Sequence, residues 1–420
     1  MSDIHQAIEA VWKIESTRLI AGIARVTHDI GIAEELAQDA LIAALEQWPE
    51  DGIPEKPAAW LMTAAKRRAI DGLRRGRMLE QKHGEIEREL EFRQRRLGEA
   101  MDQALDQVID DDILRLIFTA CHPVLTVEGR IALTLRVACG LTTTEIARSF
   151  LVPEKTLGQR IVRAKKTLSE AHVPFETPRG DELRKRLESV LSVVYLIFNE
   201  GYTATSGGEW MRAALCVDAL RLGRMLAELL PEESEVHGLL ALMELQASRT
   251  AARRGPTGEA VLLPEQDRSL WDYAQIERGM AALHQAQRLG GGAHSYALQA
   301  AIAACHARAH TAAETDWERI VVLYDALLQV SPSPIVALNR AVAVGMAHGP
   351  AAGLQALDAL AAEPALTNYH LLPSVRGDLL LKLGRYAEAR EELQRALAMT
   401  DNVRERDLLS KKLKQAMFID

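Results

Sequence analysis

Residues Arg130 to Leu168 read RIALTLRVACGLTTTEIARSFLVPEKTLGQRIVRAKKTL, and the punctuation of this stretch predicts helices separated by two tight joints. Gly140 suits a helix C-terminus, because glycine enters the left-handed conformation without a Cβ penalty. Thr142, with Glu145 three residues on, makes a capping box that opens the next helix. That helix is short, with Ile146 and Ala147 facing inward. Phe150, Leu151 and Val152 make a turn, and Pro153 fits the first turn of a further helix, where its missing N–H would go unpaired anyway. In that last helix Leu157, Ile161, Ala164 and Leu168 recur at i, i+4, i+7 and i+11, an apolar stripe. Lys155, Gln159 and Lys166 lie opposite, with Thr156, Arg160 and Arg163 on the flanks. A helix held by its back and showing Lys, Gln and Arg outward has the form of a major-groove reader. Gln can bond adenine and Arg guanine, while the other cations take phosphates.

The chain around this stretch has 420 residues and a net charge of −8, which on its own argues against nucleic acid. The average hides two basic islands. Lys56 to Arg77 holds seven Lys or Arg (Lys56, Lys66, Arg67, Arg68, Arg74, Arg75, Arg77) against one acid, Asp71. Arg148 to Lys166 holds six (Arg148, Lys155, Arg160, Arg163, Lys165, Lys166) against Glu154. One such island reads as a solvated helix face; two, each on a patterned helix, point to phosphates. Between them runs a charged stretch of mixed sign whose end, Asp102–Asp112, is acidic.

Upstream, Ala33, Leu36, Ala37, Ala40, Leu41, Ala44 and Trp48 make an apolar helical stripe, with Glu35, Gln38 and Asp39 toward the other side. Pro49, Gly52, Pro54 and Pro57 act as breakers. A second helix follows, with Leu61, Ala65 and Ala69 on its buried side and Arg67, Asp71 and Arg74 sharing another face. Downstream, Pro174, Pro178 and Gly180 mark a joint. The rest is Ala-rich and helical, with a polar loop near Arg253–Arg268. Its end carries a weak internal repeat. Gly377, Gly384, Tyr386, Ala389, Leu393 and Ala396 fall at the small and aromatic positions of a tetratricopeptide helix pair, and Trp317, Ile320, Tyr324, Leu327 and Pro332 repeat the second-helix spacing. A generic helical bundle would carry the same residues.

The order of these features is that of a known family. AEELAQDALIAALEQWP (Ala33–Pro49) followed by AWLMTAAKRRAIDGLRR (Ala59–Arg75) resembles region 2 of extracytoplasmic-function sigma factors, and Leu114 to Leu168 resembles their region 4. The tail, with YLIFNEGY at Tyr195–Tyr202, is similar to the subgroup with a C-terminal extension. The resemblance implies an all-α fold with region 2 over 1–78, a charged linker over 79–111, region 4 over 112–172, a joint over 173–184 and a tetratricopeptide-like regulatory domain over 185–420. It implies that core RNA polymerase and promoter DNA are the partners. Glu35, Gln38 and Asp39 would dock on the clamp coiled coil of the largest polymerase subunit. The loop Pro49–Lys56 and the helix bearing Lys66, Arg67, Asp71, Arg74 and Arg75 would open and hold the minus-ten element. Lys155, Thr156, Gln159, Arg160 and Arg163 would read the minus-thirty-five element, with Lys166 beside them. Many relatives carry Asn where this chain has Arg67, a departure that bears on the minus-ten contact. The acidic linker Asp102–Asp112 would occupy a cationic channel of the polymerase, or is a plain solvated run. The tail is expected to meet another part of the chain or a protein partner, with Asn199, Glu200, Gly201 and Tyr202 near the contact.

Other classes find less support. No HExxH, GxSxG, P-loop or CxxC pattern occurs, the twelve histidines lack paired ligand spacing, and no catalytic residue, metal or cofactor is expected. Cys121, Cys139, Cys216 and Cys305 are far apart and read as free thiols of a reducing cytoplasm. No stretch approaches the ~18 apolar residues of a membrane span, and the charged N-terminus is no secretion signal. Two alternatives stay open: a helix-turn-helix activator with a sensing tail, and a helical-repeat scaffold with incidental basic islands.

Overall fold

Alanine and leucine at helical spacing leave little room for sheet, and the regular elements among the described residues are helical. A computed structural model describes the backbone of residues 3–79, 110–150, 152–202, 212–255, 261–360, 363–367, 369–400 and 403–417, and side chains over these ranges except at 3, 70–79, 110–111 and 403–404. The chain divides into two compact units, Met1–Leu196 and Ile197–Asp420.

The first unit opens with α1 (Asp3–Thr27), α2 (Ile30–Asp51) and α3 (Pro57–Leu79). Asp29 starts α2 by accepting from the Ile32 N–H at 3.0 Å. The helix does not stop at Pro49 as expected. It runs through to Asp51, and Gly52 closes it by donating to Trp48 O at 2.9 Å. Proline there removes one bond of the final turn and leaves the rest intact. Trp48, Ile20, Ile23 and Leu61 are fully buried between these helices.

Then come α4 (Asp110–Ala120), α5 (Val127–Val137), α6 (Thr143–Phe150), α7 (Glu154–Glu170) and α8 (Gly180–Tyr202). Phe118, Leu116, Ile117, Leu133 and Leu135 form their core. The helix break expected over Pro174–Gly180 is present, but the first unit continues past it. Arg186 on α8 donates to Phe118 O at 2.8 Å, and Ser189 donates to Cys121 O at 2.7 Å. The division therefore falls inside α8 rather than at 173–184.

The second unit continues from the end of α8 through α9 (Ala213–Leu229), α10 (Ser234–Ala247), α11 (Tyr273–Arg288), α12 (Ser295–Arg308), α13 (Trp317–Val330), α14 (Pro334–His348), α15 (Pro350–Asp358), α16 (Leu371–Lys382), α17 (Tyr386–Met399) and α18 (Val403–Met417). Neighbours in sequence pack as neighbours in space. Small residues set the closest approaches. A Cβ on Gly353 of α15 would stand 2.7 Å from Gly345 Cα of α14, so only glycine lets these backbones meet. Gly377 lies against Leu393, and Ala389, Leu393 and Ala396 are fully buried. Among the described residues no helix is long and apolar enough to cross a membrane.

Candidate nucleic-acid interface

The capping box forms as the local chemistry dictates. The Glu145 N–H donates to Thr142 Oγ1 at 3.1 Å, and the Thr142 N–H donates to Glu145 Oε2 at 2.8 Å. Burial alone would raise the Glu145 carboxyl. The Thr142 N–H and hydroxyl and the Lys13 ammonium together hold it below its ordinary range. Gly140, at φ +70°, turns the chain from α5 into this cap, and its missing Cβ leaves room for Ser16 of α1. Pro153 sits one residue earlier than its expected place in the first helical turn, as the extended cap before Glu154.

Helix α7 then divides into two faces. Leu157, Ile161, Ala164 and Leu168 are buried. Lys155, Gln159, Arg163 and Lys166 are exposed, and Thr156 and Arg160 are half-buried beside them. Lys165 departs from the basic island in which its sequence places it. It turns inward and, with Arg136 of α5, closes on the buried Glu34 of α2. Arg136 Nε stands 2.8 Å from Glu34 Oε1, Lys165 Nζ bonds Oε2, and Lys165 also stands 3.6 Å from Glu35. Around this cluster Thr17 donates to Ala138 O at 2.9 Å, Lys13 meets Glu145 at 3.4 Å and Arg25 meets Asp112 at 3.1 Å. The helix-turn-helix thus packs on α1 and α2 within one unit.

On α2, Glu35 and Asp39 are exposed and Gln38 is half-buried. The same outer face shows Ile32, Ile42 and Leu45 at 49%, 49% and 39% exposure, apolar residues that sequence reading did not single out. Their signal was their place off the Ala33–Trp48 stripe. On α3, Arg67 and Arg68 are exposed and Lys66 is half-buried. Ala43, Gln47, Trp60, Thr63, Arg67 and Arg68 line a cleft between α2 and α3, with Trp60 edge-on to Trp48 at 5.2 Å. The side chains of Asp71, Arg74 and Arg75 lie outside the described residues, as does the linker from residue 80 to 109. Asp112, at its end, is buried and bonded to Arg115 at 3.1 Å.

In the second unit, three of the four residues expected near a regulatory contact make contacts within the unit. Gly201 and Tyr202 are buried. The Tyr202 ring stacks on Phe198 at 5.5 Å, carries the Arg253 guanidinium 3.5 Å above it, and its hydroxyl accepts from Arg249 at 2.8 Å. Glu200 pairs with Arg212, whose N–H donates to Gly201 O at 2.7 Å. A Cβ on Gly201 would meet Cys216 N at 2.7 Å. Asn199 is half-buried on the same helical turn. Within the unit the segment is tied to Arg212 at the start of α9.

A helical block with Arg67 and Arg68 beside a cleft, followed in the same unit by a capped helix-turn-helix, is the arrangement expected of a sigma factor. The comparisons agree. The family model for Sigma-70 region 2 matches residues 15–78, that for Sigma-70, region 4 matches 115–168, and a family of unknown function (DUF6596) matches 186–287. ECF RNA polymerase sigma factor SigK of Mycobacterium ulcerans (strain Agy99) is 30% identical over 152 residues, which cover 34% of this chain and 74% of that protein. SigK of Mycobacterium tuberculosis (strain ATCC 25618 / H37Rv) is 29% identical over 153 residues, 36% of this chain and 78% of that one. Uncharacterized protein R00370 of Rhizobium meliloti (strain 1021) is 42% identical over 391 residues, covering 92% of this chain and 90% of that protein. The chain belongs to the ECF RNA polymerase sigma factor family and is a sigma factor for transcription initiation, with a helical C-terminal part.

Proposed function

We propose that the chain binds core RNA polymerase through the outer face of α2, meets the minus-ten element with α3, reads the minus-thirty-five element with α7, and is controlled by its C-terminal unit. The observation that carries the promoter reading is the two-faced α7. Its apolar stripe is buried while Lys155, Gln159, Arg163 and Lys166 stand in solvent. Glu35 and Asp39 beside Ile32, Ile42 and Leu45 support the docking reading, because charged groups around exposed apolar side chains are what a protein partner covers. The test is co-elution of the full chain with core polymerase, followed by promoter-directed transcription. Reversing Glu35 and Asp39 to Lys should weaken core binding without unfolding an exposed face. Wild-type protein that never co-elutes would leave the helix-turn-helix activator reading in its place.

The regulatory reading rests on the size and form of the second unit, whose stacked helix pairs resemble a tetratricopeptide array and suit recognition of a segment or partner. Because tail and factor share one chain, a weak contact acts at an effective concentration of up to about millimolar. The test is a chain cut after Leu196, which keeps the Arg186 and Ser189 anchors that a cut at Gly180 would remove. Its transcription is compared with that of the full chain at matched folded concentration, with the detached tail added in trans. Equal activity throughout, with no binding of the tail to factor or polymerase, would end this reading.

A further inference from the structure

The outer face of α7 carries one apolar side chain among its cations and amide. Val162 is 64% exposed. Lys155, Gln159, Val162 and Lys166 fall at i, i+4, i+7 and i+11, the same spacing as the buried stripe Leu157, Ile161, Ala164 and Leu168 but on the opposite side. At 100° per residue, Val162 stands about 100–160° round the helix from each buried member. It therefore stands on the outward side of the helix, about 40–60° round from Lys166 and Gln159 and on the flank away from Arg163. A lone exposed valine on an ordinary surface calls for no account. This one is a β-branched residue, a poorer helix former than Ala or Leu, and it stands mostly in solvent. Each of its exposed neighbours Lys155, Gln159, Arg163 and Lys166 is a side chain suited to base edges or phosphates.

We infer that Val162 is a specificity-determining residue that packs on the C5 methyl of a thymine in the upstream promoter element. This rests on the promoter-reading role of α7 proposed above. Guanine and adenine present the N7 acceptor near that place, cytosine only a C5 hydrogen beside its N4 amino donor, and thymine alone presents a methyl. A valine pressed on a polar edge would strip its water and return no hydrogen bond, which is costly. Val162 thus favours thymine and disfavours the other bases. The register follows from helix geometry. Three residues advance about 4.5 Å along the axis, against about 3.4 Å per base pair of duplex. The thymine should lie one base step, at most two, from the base that Gln159 meets.

The experiment uses the full chain assembled with core RNA polymerase on its selected promoter. Each thymine of the upstream element is replaced in turn by deoxyuridine, which removes the methyl and nothing else. Wild-type protein should lose about three- to tenfold in promoter affinity at one position. Val162→Ala should bind the unmodified promoter that much more weakly and show no further loss with deoxyuridine there. Val162→Thr, which keeps one γ-methyl, should fall between. Alanine is the better helix former, so an exposed Val162→Ala should fold, and an unchanged melting curve checks it. The inference is overturned if no thymine responds in the wild type, if Val162→Ala keeps the full deoxyuridine response, or if it weakens binding to core enzyme instead. Wild-type holoenzyme that selects no promoter at all would overturn the promoter reading and this inference with it. Selection of a promoter without a Val162-dependent thymine would overturn the inference alone.

Discussion

At the scale of single residues, the features legible in advance were those whose partners lie within a turn or two. Thr142, Glu145 and Gly140 were readable because a cap is a contract between neighbours. Thr142→Ala should cost about 0.5–2 kcal/mol, measurable by denaturant unfolding of the full chain. Glu145 adds a pH dependence with a definite sign. Its folded carboxyl is held below its ordinary value, so its stabilisation is present above the unfolded value of about 4.3 and lost as pH falls through the lower folded value. Glu145→Gln should flatten that acid limb. On α7, Gln159→Ala or Arg163→Ala should cost about 1–3 kcal/mol on the selected promoter and relax preference at one or two base pairs. Lys166→Ala should weaken all sequences alike and lower the salt slope by about one phosphate. Its ion pair with Glu170, both ends exposed, offers little resistance. Footprinting on a randomised element separates the two behaviours. Lys165 shows what was not legible. It sits among the cations of its island, and the acid that claims it, Glu34, lies 131 residues away.

Among elements, α2 has two faces with opposite roles. Its stripe from Ala33 to Trp48 could be read from spacing, and so could the acids beside it. Glu34 could not, because a carboxylate next to buried alanines reveals its purpose only when Arg136 and Lys165 arrive from α5 and α7. Removing one member of a buried ionic cluster strands the others, at about 3–5 kcal/mol. Glu34→Gln should therefore loosen the packing of the helix-turn-helix on α2. Hydrogen exchange would show this as faster exchange over α5 and α7, with α9 to α18 unchanged. Unaltered exchange at α5 and α7 would mean that the apolar contacts alone hold the packing.

Across the whole molecule, the all-helical character and the break near Pro174 were legible, but the boundary of the first unit was not. Proline and glycine mark where a helix ends, whereas the unit's edge depends on where Arg186 and Ser189 find carbonyls. In the second unit, His306 is half-buried against Trp317, and burial followed by the charges of Arg249 and Arg268 pushes its imidazole down to about 4. A base whose folded value lies below its unfolded one lowers stability as the medium acidifies. The unit should lose up to about 3 kcal/mol between pH 6.5 and 4, and His306→Gln should remove most of that slope in melting curves. The clasp of Glu34, Arg136 and Lys165 has a consequence for reach. Elements centred near minus ten and minus thirty-five are separated by some 25 base pairs, about 85 Å of duplex. The 30 residues between Leu79 and Asp110 can extend to roughly 100 Å, so the covalent tether is long enough, but the clasped halves touch. If both elements are held at once, the clasp must be open. Its strength is then subtracted from promoter affinity, and any agent that tightens it acts as a competitor of DNA without touching a single base.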